Sequence, residues 1–458
     1  MVFSSLLFLF YFMPAAFLIY YLTPKKMKNL VILILSLFFY CWGEVRYFPI
    51  MLASILVDFM ASQMIERHDD NKLVRKAWLT VSMAFNLGML GFFKYSGFFA
   101  ENINALTGLS IPVLSVTLPL GISFYTFQTM SYTIDVYRRD VKAEKNIISF
   151  GAFVALFPQL IAGPIVRYTD IQRELKERRM DAEQISSGVK TFIMGLGSKV
   201  LIANNIGALW TEVEGMGFAG ISTPLAWLAI LAFSLQIYFD FSGYSLMAIG
   251  LGRMLGFEFP KNFDFPYASK SMTEFWRRWH MTLGSWFRSY LYIPLGGNRL
   301  GQGRTILNLF IVWSLTGLWH GASWNFVLWG LYFFVLLVLE KEFIGKFLQR
   351  SKVISRIYMI PLVIISWAIF AVTDLSQMGL FFSRMFAFSG GLDWIYFIRN
   401  YGITFIVGII FSIPALRPVY NAIERREVLG ILMYGAILFL SVAYLVDATY
   451  NPFLYFRF

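Results

Sequence analysis

Residues 306–339 read ILNLFIVWSLTGLWHGASWNFVLWGLYFFVLLVL, with no Asp, Glu, Lys or Arg anywhere in the stretch. One helix over all of it would exceed a single bilayer crossing, for which about 20 residues suffice. The HGAS step at 320–323 divides the stretch into two apolar runs, 306–320 and 324–339. Arg304 precedes the first run, and Lys341, Lys346 and Arg350 follow the second. Both outer ends therefore carry the basic signal of a cytoplasmic flank, and the pair reads as a membrane hairpin. His320, between the runs, is an ionisable group where such groups are costly, which makes it the first candidate for chemistry.

The rest of the chain agrees with a membrane setting. Of 458 residues, 58% are hydrophobic and 19% aromatic, and only 14% are charged, where a soluble domain carries about a quarter. This composition excludes a disordered chain, a disulfide scaffold and a two-domain soluble enzyme. Cys41 is the one cysteine, so neither an internal disulfide nor a thiolate zinc site is expected. The net charge of +12 sits in short loops between apolar runs and works as a topology signal; no nucleic-acid partner is expected, and lipid is the surrounding partner.

Outward from the hairpin, the N-terminal run at 1–22 lacks a basic leader and a cleavage site, and Lys25, Lys26 and Lys28 follow it. It reads as a first span with the N-terminus outside. Further spans are expected near 30–41, 48–64, 77–93, 111–130, 191–210, 224–250, 357–372, 394–414 and 428–446, bringing the C-terminus outside. The stretch at 148–166 has basic residues on both sides and the Pro- and Gly-broken sequence FPQLIAGPIV. It reads as re-entrant, because broken backbone at membrane depth needs protein or a water-filled cavity for its hydrogen bonds. The expectation is an all-α polytopic protein of roughly a dozen crossings, one membrane domain over 1–458, with no internal repeat.

Three histidines are present. His68 lies in ERHDDNK and reads as a solvated loop residue. His320 is flanked by Leu318, Trp319 and Trp324, surroundings that disfavour the imidazolium and keep the ring neutral, as a general base requires. Gly317 and Gly321 leave room for a substrate. His280 falls in SMTEFWRRWHMTLGSWFRSYLYIPLGGNR, where Trp276, Trp279, Leu283, Trp286 and Tyr290 recur at helical spacing and Arg277, Arg278 and Arg288 are interleaved. The pattern predicts an amphipathic interfacial helix. Its arginines either meet lipid phosphates or flank a cytoplasmic entrance that attracts an anionic donor. Gln128, Asp135, Gln159 and Asp240 are polar residues in apolar context and should face the interior. Gly-x-Ser-x-Gly, Walker and Rossmann patterns are missing from the sequence, and no set with metal-ligand spacing is seen.

Five blocks carry a family resemblance: GISFYTFQTMSYTIDVYR at 121–138, FPQLIAGPIVRY at 157–168, QIYFDFSGYSLMAIGLGRMLGF at 236–257, NFDFPYASKSMTEFWRRWHMTLGSWFRSYLYIPLGGNR at 262–299 and GLWHGASWNFVLWG at 317–330. Together they resemble the membrane-bound O-acyltransferase (MBOAT) family, in its bacterial branch serving alginate, cellulose and peptidoglycan O-acetylation or teichoic acid D-alanylation. The resemblance implies a fold of tilted helices around a central channel, with re-entrant and interfacial helices. It implies that His320 matches the catalytic histidine and His280 a second polar position facing the same channel. Trp276, Arg277 and Arg278 are expected at the donor entrance, and Gln128, Asp240, Trp319 and Asn325 as channel or supporting positions. The implied donor is cytoplasmic acetyl-CoA, with no permanently bound cofactor.

The tail FLYFRF at 453–458 resembles a motif of that branch whose tyrosine relays the acyl group, a position that Tyr455 occupies; an aromatic and cationic membrane anchor is the other reading. The resemblance also implies an extracytoplasmic Ser-His-Asp-type acetyltransferase as partner, a polysaccharide (peptidoglycan or alginate) reached through it, and the bacterial inner membrane as location. Two rivals stand beside this reading. One is a D-alanyl or other acyl transferase fed by a carrier-protein thioester. The other is a transporter or flippase, which usually shows repeat symmetry.

Overall fold

The computed structural model describes residues 2–114, 116–161, 163–348 and 350–447. The FLYFRF segment and Tyr455 lie outside the described residues. Among the described residues every regular element is helical. Among the described residues, seven helices are long and apolar enough to cross a membrane: Lys25–Gly43, Phe48–Arg67, Ala182–Met216, Thr223–Met254, Lys352–Ala371, Asp393–Phe411 and Glu427–Asp447. The chain is a multi-pass membrane protein.

Two of these helices outrun the expected spans at 191–210 and 224–250, with 35 residues in Ala182–Met216 and 32 in Thr223–Met254. At 1.5 Å per residue, the latter is about 48 Å long, against a hydrocarbon core of about 30 Å. Such helices tilt or project beyond the core. The span expected at 111–130 is not formed: 108–114 and 116–119 are not helical, and the helix is Ile122–Arg138. Gly108 and Gly121, both at φ +71, bracket this segment, and Pro112 and Pro119 lie inside it. The glycines turn the chain out of helical geometry and the prolines remove backbone donors.

The described residues pack as two compact units, Met1–Thr191 with Ala248–Pro260, and Phe192–Met247 with Lys261–Phe458. In the first unit the FPQLIAGPIV stretch follows a helix of only nine residues, Ile147–Ala155, which breaks at Leu156 and resumes for four residues, Phe157–Leu160. Protein supplies the hydrogen bonds the break needs: Ser36 Oγ accepts from the Phe157 N–H at 3.1 Å, and Gln159 Nε2 donates to the Phe153 carbonyl at 2.6 Å. This is the arrangement the re-entrant reading requires. The same unit buries Asp58 on Phe48–Arg67 against residues of Lys72–Leu90 and Ile122–Arg138.

The second unit contains the hairpin, as helices Gln302–His320 and Trp324–Leu339. Their crossing is possible because two glycines meet. A Cβ on Gly317 would lie 2.3 Å from the Phe326 carbonyl, and one on Gly330 would lie 2.4 Å from that of Trp313. Small residues bring the backbones together here, as in other membrane helix pairs. The surrounding core is aromatic, with Trp210, Phe233, Trp329, Trp367 and Phe381 buried.

Candidate active site

The segment that positions His280 departs from the single amphipathic helix its periodicity predicts. It forms two short helices, Met272–Arg278 and Met281–Phe287, broken at Trp279 and His280. His280 itself takes left-handed backbone angles, φ 45 and ψ 53. A non-glycine residue held there is strained, and such strain clusters at functional sites.

Both helix starts are capped. Ser271 Oγ accepts from the Glu274 N–H at 3.0 Å, and the buried Glu340 carboxylate accepts from the N–H groups of Met272 and Thr273 and from Thr273 Oγ1. A carboxylate at a helix N-terminus is favoured by the helix dipole. The second start is held by Asn262: its carbonyl accepts from the Met281 N–H at 2.9 Å, and its Oδ1 accepts from the Thr282 N–H at 3.3 Å and Thr282 Oγ1 at 2.9 Å. The periodicity was intact, but it could not report that a distant asparagine would supply the caps of a second helix.

His280 is buried and lies edge-on to Phe241, ring centres 4.7 Å apart. Its Nδ1 is 3.1 Å from Asn262 Oδ1, and its Nε2 is buried with no hydrogen-bond partner among the described residues. Burial pushes the imidazole well below its usual range, and a proton on neighbouring His320 would act in the same direction. The ring is therefore neutral at pH 7.

His320 closes the Gln302–His320 helix and stands in an aromatic box. Its ring centre is 5.1 Å from Trp319, 4.9 Å from Trp329 and 5.4 Å from Phe370. Trp319 is also 5.9 Å from the His280 ring, so one indole touches both histidines. Asn325 Nδ2 donates to the carbonyls of Ile369 and Phe370, at 3.3 and 3.1 Å. It thereby ties the hairpin to the Lys352–Ala371 helix beside the box.

A cavity of about 1210 Å³ opens against His280, lined by Trp276, Arg277, Trp313 and Thr316 among others. Pockets for drug-sized ligands run to about 1,000 Å³, so a molecule of coenzyme size fits. Lys270, Arg277, Arg288, Lys341, Lys346 and Lys352 also line it, and its acids are Glu274 and Glu340. Glu340 is committed to the helix cap, and Glu274 pairs with Arg278 at 2.8 Å. The lining is thus strongly cationic and suited to a polyanion.

Of the residues singled out from sequence, Trp276, Arg277, His280, Leu283 and Arg288 line this cavity, whereas Arg278 does not; it pairs with Glu274 and donates to the Asp264 carbonyl at 3.2 Å. His320 stands outside the lining, reached through rings: Trp329 touches His320 on one side and Trp276 on the other, at 5.5 Å. Asp240 is in the same unit, buried in an ion pair with Lys199 at 2.5 Å, and its chain neighbour Phe241 is the ring against His280. Gln128 belongs to the first unit, its amide buried without a hydrogen-bond partner among the described residues. Asn262, Glu340 and Lys199 escaped sequence reasoning. The signal for Asn262 is faint: one amide between Lys261 and Phe263 in KNFDF, 18 residues before His280.

A family model described as the membrane-bound O-acyltransferase family matches residues 137–383. The chain is 40% identical over 399 residues to the probable alginate O-acetylase AlgI of Pseudomonas putida, covering 86% of this chain and 81% of that protein. It is 32% identical over 416 residues to the peptidoglycan O-acetyltransferase of Helicobacter pylori, covering 82% and 78%. A teichoic acid D-alanyltransferase of Streptococcus thermophilus is 28% identical over 244 residues, covering 50% of this chain and 58% of that protein.

Proposed function

The chain belongs to the membrane-bound O-acyltransferase family, and from that premise we propose that this O-acyltransferase moves acetyl groups from cytoplasmic acetyl-CoA across the bacterial inner membrane for O-acetylation of alginate or peptidoglycan. The observation that carries the reading is the cationic cavity with His280 in its wall and His320 behind the Trp319 indole that touches both. The donor's phosphates lie among Arg277, Arg288 and the lysines, and the thioester reaches toward the histidines. His320 takes the proton of the acceptor hydroxyl, the phenol of Tyr455, whose ordinary pKa near 10 makes a base necessary. The phenolate oxygen bonds to the acetyl carbon, the carbon–sulfur bond breaks, and the thiolate leaves with the proton that His320 received. An extracytoplasmic partner of the Ser-His-Asp type then carries the acetyl group to the polysaccharide. The greater identity and coverage with the O-acetyl relatives than with the D-alanyl relative favours an acetyl donor over a carrier-protein thioester.

The test is mass spectrometry of the purified protein after incubation with isotopically labelled acetyl-CoA. Label is expected on the C-terminal peptide, and lost in both His320→Ala and Tyr455→Phe. CoA release with no retained label would overturn the tyrosine relay. No release at all, even with a partner present, would overturn the donor.

A further inference from the structure

Asn262 does more than cap a helix. The Thr282 backbone N–H can only donate, so the Asn262 atom it meets at 3.3 Å is the carbonyl oxygen Oδ1. The other amide atom, Nδ2, donates to Ser245 Oγ at 3.0 Å, which agrees with that orientation. Oδ1 is also the atom 3.1 Å from His280 Nδ1. An amide oxygen only accepts, and the neutral imidazole carries one proton, so that proton sits on Nδ1. Nε2 is then a bare lone pair. It is buried and has no hydrogen-bond partner among the described residues, which is costly unless a ligand satisfies it.

His280 belongs to the wall of the cavity, and whatever reaches its Nε2 must bring a hydrogen. A thioester carbonyl, a sulfur and a phosphate dianion offer only acceptors. In a pantetheine arm, the donor nearest the sulfur is the amide N–H two carbons away. We propose that Asn262 is a positioning residue that fixes His280 with its proton on Nδ1, and that His280 Nε2 accepts the amide N–H of the acyl donor's pantetheine arm, aligning the thioester beside His320. The amide contact rests on the proposed thioester-dependent function; the tautomer does not. Oxyanion stabilisation falls to other groups, since His280 has no proton to offer on that side.

The test has two parts. With only three histidines in the chain, nitrogen NMR of the ¹⁵N-histidine-labelled full chain in nanodiscs reads the tautomer, with His280→Gln assigning the signals. The wild type should carry its proton on Nδ1. Asn262→Leu should move it, and Asn262→Asp, which keeps an acceptor at that place, should restore it. A wild-type proton on Nε2, or no change in Asn262→Leu when the protein is folded, overturns the positioning role.

The second part compares acetyl-CoA with an analogue in which an ester replaces the amide nearest the sulfur. Wild type should lose about 10-fold in kcat/KM on the analogue, the scale of one hydrogen bond. Asn262→Leu should lose about 10- to 100-fold on acetyl-CoA, as supporting residues do, yet distinguish the two donors by no more than about 2-fold. Equal wild-type rates on the two donors overturn the amide contact. The same pair built on a phosphopantetheinyl carrier protein tells the two sources of the arm apart. If neither source is turned over, the function fails and the amide contact with it, while the NMR result still decides the tautomer.

Discussion

Two buried polar clusters, one in each compact unit, end differently. In the first unit the Asp58 carboxylate accepts from Ser82 Oγ, from Asn86 Nδ2 at 2.8 Å and from Thr133 Oγ1 at 3.0 Å, and Thr129 Oγ1 donates to Asn86 Oδ1 at 3.2 Å. Each carboxylate oxygen is used, and the shell closes on itself. In the second unit Asn262 is equally well used, but its network stops at His280, a wall residue of the cavity of about 1210 Å³, whose buried Nε2 is left over. A polar network closed within the protein fixes how three helices pack. One that ends in an unused lone pair at a cavity wall keeps a valence for something that arrives. Burial alone does not separate the two roles, since Asp58 and His280 are both almost fully enclosed; the accounting of partners does.

That contrast can be broken by experiment. The largest effect is expected from His320→Gln, which should lower the rate of acyl transfer by about 10²–10⁴-fold, the usual worth of a general base, with little change in thermal unfolding in detergent. A comparable fall in the unfolding midpoint would mean that His320 is a packing residue. Asp58→Ala should do the reverse. Stranding the donors of Ser82, Asn86 and Thr133 should cost about 3 kcal/mol of stability and leave turnover per folded molecule close to wild type. A selective loss of turnover would move Asp58 into the chemistry.

Smaller is the difference between neighbouring arginines. Arg277→Ala should raise the KM for acetyl-CoA about 5-fold, an effect of about 1 kcal/mol that fades with added salt. Arg278→Ala, which removes a pair with Glu274 rather than a cavity cation, should not raise it. Equal effects would mean that the donor's phosphates lie elsewhere.

The same partner accounting explains what was legible in the sequence. Charge-free apolar runs and basic flanks announced the membrane fold, and His320 announced itself by being ionisable inside one of those runs. The hairpin at 306–339 is readable because its signals are local, whereas the apolar pattern at 111–130 suggests a span that Gly108, Pro112, Pro119 and Gly121 speak against, and 108–114 and 116–119 are not helical. Asn262 was unreadable for a different reason. Its role lies in contacts to Met281, Thr282 and His280 across 18 or more residues, and those exist only once the helix expected through Trp279 and His280 has broken. The periodicity of Trp276, Trp279, Leu283 and Trp286 survives such a break, so the pattern carries no warning of it. Glu340 is hidden similarly: it stands with Lys341 and Glu342 just after the apolar run, and only the fold brings it to the start of Met272–Arg278, which it caps.

A last effect tests whether the His280 imidazole is kept from bulk water. In the unfolded chain its imidazole titrates near 6.5; in the folded chain burial holds it well below that, and a proton on His320 would act in the same direction. Once the pH falls below about 6.5, the unfolded state binds a proton that the folded state refuses, so stability rises with pH in this window and is lost as pH falls. Glutamine at 280 removes the contribution. The wild-type unfolding midpoint should therefore drop more steeply from pH 6.5 to 5 than that of His280→Gln, the two slopes differing by at most about 1.4 kcal/mol per pH unit. Equal slopes would mean that the imidazole reaches water and takes up its proton without opening the fold. Nε2 would then be solvated rather than held in reserve, and the distinction between the closed Asp58 cluster and the open His280 site would disappear.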